Sequence, residues 1–108
     1  MRRRCKQGAL SDISKAISLD SENASNYIAR GQIELSLNKK NVALQDFKKS
    51  ITMFDKEILK NPNSAEAYIG RAKTNYSCGE TEKMCPDLKK ASRFGVKQAE
   101  ELIKQFCK

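Results

Sequence analysis

The chain repeats itself, and this repetition limits its possible folds more than any other feature. Ala9-Leu10-Ser11-Asp12-Ile13-Ser14-Lys15-Ala16-Ile17 returns 34 residues later as Ala43-Leu44-Gln45-Asp46-Phe47-Lys48-Lys49-Ser50-Ile51. Tyr27-Ile28-Ala29-Arg30-Gly31 returns 41 residues later as Tyr68-Ile69-Gly70-Arg71-Ala72. At that same offset Asp46-Phe47-Lys48-Lys49-Ser50 meets Asp87-Leu88-Lys89-Lys90-Ala91. Two separate blocks sharing one register imply a duplicated supersecondary unit, stacked as in a solenoid. At 108 residues a single domain, 1–108, is expected. The scarcity of Pro and Gly favours long helices over a turn-rich β sandwich.

Period and punctuation predict six helices. The first covers about 9–19 and stops near Asp20-Ser21. Asn23 or Ser25 caps the second, about 24–37, which ends at Asn38-Lys39-Lys40. The third, about 41–60, is closed by Asn61-Pro62, because the residue before Pro is pushed out of helical geometry. Asn63 or Ser64 caps the fourth, about 65–77, with Gly79 as its breaker. The fifth, about 82–94, must start late, since Pro86 is tolerable only in a first turn. Gly95 ends it, and Val96 to Cys107 form the sixth, with Ala99, Leu102, Ile103 and Phe106 on one side.

The difference between the two offsets is seven residues, lying between Ser50 and Pro62. Seven residues are nearly two helical turns, so the apolar face drifts by only ~20°. Ile51, Phe54 and Ile58 then extend the stripe of Val42, Leu44 and Phe47. One long helix that projects beyond its neighbours is expected here, not a loop. Small residues at Ala29, Gly31, Ala43, Ser50, Gly70, Ala72 and Ala91 would let helices approach closely. Gly31 and Gly70 each cost a helix up to ~1 kcal/mol, which implies a packing reason.

An aromatic residue followed three and four residues on by a large residue and a Gly, then Ala-x3-aromatic, then Pro, resembles the tetratricopeptide repeat. Tyr27, Arg30, Gly31, Ala43, Phe47 and Pro62 hold those places in one unit. Tyr68, Arg71, Ala72, Met84 and Leu88 hold them in the next. Glu34 and Asn75 stand where that family prefers an aromatic. The resemblance implies an all-α, right-handed α-α superhelix of antiparallel helix hairpins with a C-terminal capping helix. Its parts would be a partial repeat at 8–22, a repeat with an elongated second helix at 23–63, a repeat at 64–95 and the cap at 96–108. The first helix has no partner ahead of it. Either the chain is a piece of a longer array, the reading preferred here, or it self-associates through that uncapped edge.

The resemblance also implies a function, a scaffold holding a peptide or protein in a concave groove. The matching inward places are Ser25, Ile28, Gln32, Leu35 and Ser36, then Glu66, Ile69, Lys73, Tyr76 and Ser77. One subfamily clamps a chaperone's terminal carboxylate with Lys, Asn and Arg. Here those places hold Ile28, Gln32, Ala29, Glu66 and Gly70, so that activity is excluded.

The chemistry of the remaining residues argues against an enzyme. There is no His, which removes the commonest general base and the commonest metal ligand together. No Gly-rich phosphate loop occurs, and no cofactor or metal is expected. Cys5, Cys78, Cys85 and Cys107 lack metal-ligand spacing. Cys85 and Cys107, at facing ends of the last two helices, are either a disulfide or two small buried thiols in a reducing compartment. The first alternative places the protein outside the cytoplasm, the second within it. With 21 basic and 13 acidic residues the charge is +8, and Arg2, Arg3, Arg4 and Lys6 supply half of it. That arm, with Lys48, Lys49, Lys89 and Lys90, defines the rival reading, a nucleic-acid-binding module. Few aromatics are available to stack on bases, which favours the scaffold.

Overall fold

The computed structural model describes residues 6–107, with side chains from Gly8 onward. The structure is all-helical. In order, the helices are α1 (Lys6–Leu19), α2 (Ala24–Ser36), α3 (Lys40–Lys60), α4 (Ala65–Ser77), α5 (Met84–Ser92) and α6 (Lys97–Phe106), with a short 3-10 turn at Thr81–Lys83 before α5. The basic arm and Cys5 lie outside the described residues. None of the described helices is long and apolar enough to cross a membrane.

Local chemistry accounts for the boundaries. The Asn23 side chain accepts from the Ser25 N–H at 3.0 Å and so caps α2, while Ser64 accepts from the Ala67 N–H at 3.3 Å and caps α4. The two helices also end alike. Asn38 and Gly79, 41 residues apart, both take positive φ, 64° and 86°. The Lys39 N–H then reaches back to the Glu34 carbonyl and the Glu80 N–H to that of Asn75, both at 2.8 Å. This closure satisfies carbonyls that a helix end would otherwise leave bare. Pro86 is the third residue of α5, and the 3-10 turn fills the place where the helix begins late.

The chain divides into two compact units, Met1–Ser50 and Ile51–Lys108, with the boundary inside α3. In the first, α1 packs on α2, and Ile17, Tyr27, Ala43 and Phe47 are buried. Gly31 sits against the Phe47 ring, where an added Cβ would fall 2.6 Å from a ring carbon. Val42, which the sequence places on an apolar stripe, is instead 45% exposed, and Leu19 is 82% exposed. Leu19 is the last residue of its helix.

In the second unit, α4, α5 and α6 pack in succession. One cluster gathers Tyr68, Ile69, Ala91 and Ala99 with Ile58, Ala65 and Val96 around them. A second sets Ala72, Met84 and Leu88 against Leu102, Ile103 and Cys107, so α6 covers the α4–α5 hairpin as expected of a cap. The seven-residue extension of α3 is helical, but its last turns do not project freely. Phe54 lies over Gly70, Asp55 binds Arg71 at 2.7 Å and Ile58 joins the first cluster. Gly70 is therefore glycine because the extension places a ring against it.

Candidate functional site

Each hairpin is locked by the same set of contacts. Arg30 donates from Nε and Nη2 to both carboxylate oxygens of Asp46, at 2.8 and 2.9 Å. Arg71 does the same to Asp87, at 2.8 and 2.7 Å. The guanidinium of Arg30 stands 5.7 Å from the centre of the Tyr27 ring, and that of Arg71 stands 5.8 Å from the Tyr68 ring. The Tyr27 hydroxyl donates to the Ser21 carbonyl and the Tyr68 hydroxyl to the Pro62 carbonyl, at 3.1 and 3.0 Å. Bonding to Asp46 raises the pKa of Arg30 further, and bonding to Asp87 raises that of Arg71. These residues are occupied with holding helices together. They are not free to meet a ligand.

The two hairpins differ at one pair of equivalent positions. Glu34 is buried at 4% exposure with its Oε2 3.8 Å from Arg30 Nε, and its Oε1 has no hydrogen-bond partner among the described residues. Burial, then the neighbouring Asp46 carboxyl, pushes the Glu34 pKa up to about 7. Asn75 takes the corresponding place in α4 and is also buried. Arg71 finds its second acid in Asp55, on α3, half exposed to water.

The residues read as groove lining fall into two groups. On α2, Ser25, Gln32, Leu35 and Ser36 are exposed and Ile28 is half-buried. The Ser36 hydroxyl donates to the Ile33 carbonyl at 2.7 Å. On α4, Glu66, Lys73 and Tyr76 are exposed and Ser77 is half-buried. Ile69 departs from the expectation, being 9% exposed and packed in the first core cluster with Ala91 and Ala99. The resemblance assigns it an inward place, but here it belongs to the cluster against which Ile58 and Val96 pack. Sequence reasoning missed the neighbour of Tyr76. Phe106 of α6 packs against it with ring centroids 5.1 Å apart and the planes tilted by 55°, and both rings keep a large exposed surface. Only the apolar stripe of α6 hinted at that contact.

Cys85 and Cys107 are joined as a disulfide, with Cα atoms 5.8 Å apart, so the residue that follows α6 is tied to the first turn of α5. Cys78 is a free, half-buried thiol. Lys48, Lys49 and Lys89 point outward, while Lys90 is half-buried.

No family model matches the chain, and no curated protein matches it. Among solved structures the chain is similar to the crystal structure of MamA, with 22% of residues identical and a TM-score of 0.44. The match covers 94% of this chain and 52% of that one, so the chain spans about half the length of the structure it resembles.

Proposed function

We propose that this chain is a protein-interaction scaffold of the tetratricopeptide kind, in which the first helix of each hairpin offers a binding face to a peptide or protein segment. The observation that carries the reading is on α4. Lys73 and Tyr76 stand exposed one turn apart. Between them and the N-terminal end of the helix, Tyr68, Ile69 and Ala72 are taken up by core contacts and Arg71 by its ion pairs, while Glu66 is exposed in the first turn.

A cation beside a tyrosine on a rigid helix is a suitable anchor, since Tyr buries a large area at low entropic cost and its hydroxyl still seeks a partner. On α2 an amide, an aliphatic chain and hydroxyls stand exposed at Gln32, Leu35, Ser25 and Ser36. This mixture suits the alternating backbone and side-chain groups of a peptide. Many functions share one fold, so it is these exposed side chains that support the reading.

The test is selection of peptides from a random display library on the immobilised chain. Selected peptides are then measured against a Lys73→Glu, Tyr76→Ala variant and a Gln32→Ala, Leu35→Ala variant. The reading expects a loss of at least about tenfold in affinity in each, with helical content retained. Unchanged affinity in both variants overturns it.

A further inference from the structure

A buried acid that its sister repeat lacks sets the first hairpin apart. Around Glu34 one guanidinium, Arg30, serves two carboxyl groups, because Asp46 already takes two of its N–H donors. Glu34 and Asp46 thus converge on one guanidinium, and two ionised carboxylates around a single cation repel each other, a cost that falls when one of them carries a proton. Asp46 has the short bidentate contact to Arg30. Glu34 is left with a weak 3.8 Å contact, an oxygen with no partner among the described residues, and almost no water. An ionised carboxylate in that position is heavily penalised. The second hairpin carries the same Arg–Asp grip with a neutral amide, Asn75, at the equivalent place.

We propose that Arg30, Glu34 and Asp46 form a proton-operated latch, in which the α2–α3 hairpin closes with Glu34 protonated and loosens when that carboxyl ionises. The groups acting on Glu34 come from each side of it: Arg30 on its own helix, Asp46 on α3, and Lys39 in the turn between them. The two cations favour ionisation, and burial together with Asp46 outweighs them. No titratable group of the described part of α1, which also packs on α2, is among those acting on it.

The direction of the pH effect follows. The folded carboxyl keeps its proton up to about pH 7, while the unfolded reference value is 4.5. Folding therefore takes up a proton. The resulting stability is complete below pH 4.5 and is lost as pH rises through 7. The net charge of +8 shrinks as pH rises, and that trend alone would stabilise the fold. The latch thus predicts the opposite sign from general charge repulsion.

The experiment is a carboxyl-detected NMR titration of the full chain, with hydrogen exchange and thermal melts at pH 5.5 and 8.5 for the wild type and Glu34→Gln. Glu34 is expected to titrate near neutrality. The wild-type melting temperature should fall by about 5–10 °C between the two pH values, with faster exchange confined to α2 and α3. The Gln variant should be insensitive to pH over that range and no less stable than wild type at pH 8.5. A Glu34 midpoint below 5, or equal pH slopes in the two proteins, overturns the proposal. If the variant fails to fold, the wild-type midpoint alone decides.

Discussion

Arg71 grips Asp87 through two parallel N–H···O bonds of 2.8 and 2.7 Å, and residues 41 positions earlier, Arg30 and Asp46, repeat that grip almost to the ångström. Each pair spans sixteen residues and ties the first helix of a hairpin to the second. Arg suits this role because its planar fork matches a carboxylate in two bonds, which Lys cannot do. The side chains of Asp46 and Asp87 are 7% and 10% exposed, whereas that of Asp55 is 50% exposed. Asp46→Ala and Asp87→Ala should each cost about 2 kcal/mol, below the full value for a broken buried pair because the arginines retain some water. Asp55→Ala should cost less than about 1 kcal/mol. Urea unfolding of the three variants checks the order.

The helical glycines give a second prediction. Gly31→Ala drives a methyl into the ring of Phe47, which is fully buried and has nowhere to go. It should destabilise by about 1–3 kcal/mol despite alanine's better helix propensity. Gly70→Ala meets Phe54, which is only half-buried and can swing outward, so its cost should be smaller. A Gly70→Ala, Phe54→Leu double variant should recover most of the loss, a coupling that a double-mutant cycle measures.

Tyr27 and Tyr68 occupy equivalent surroundings, each with a hydroxyl on the carbonyl six residues before it and an arginine near its ring. Tyr27→Phe and Tyr68→Phe should therefore cost the same, about 1 kcal/mol each. Costs that differ by more than a factor of two would mean that the two repeats are not equivalent.

The Cys85–Cys107 bond closes a separation of 22 residues, for which loop-closure entropy gives about 3 kcal/mol. Denatured, unreduced protein should show at most two reactive thiols out of four cysteines. Reduction should lower stability by about that amount and loosen α6 first. Four reactive thiols before reduction would contradict the pairing.

Repetition made most of the helical framework legible. Helix positions, the continuous α3 and the need for small residues at Gly31 and Gly70 all followed from apolar spacing, because burial enforces one face per helix. Pairings between helices were harder to see. Asp46 and Asp87 lie in the repeated blocks, yet nothing in a one-dimensional pattern states that they meet Arg30 and Arg71. Glu34 stood out in the sequence only as an acid at a place where the resembled family prefers an aromatic, and its burial and the Arg30 it shares with Asp46 are visible only in the structure. Ile69 fell in a groove register and is core, in a cluster against which Ile58 packs from the seven-residue extension of α3.

The most direct measurement of the scaffold reading is nitrogen-15 chemical-shift mapping of the labelled chain with a library-selected peptide. Shifts and line broadening centred on Gln32 and Leu35 of α2 and on Lys73 and Tyr76 of α4 are the predicted result. Changes confined to Lys48, Lys49, Lys89 and Lys90, with α2 and α4 undisturbed, would contradict it.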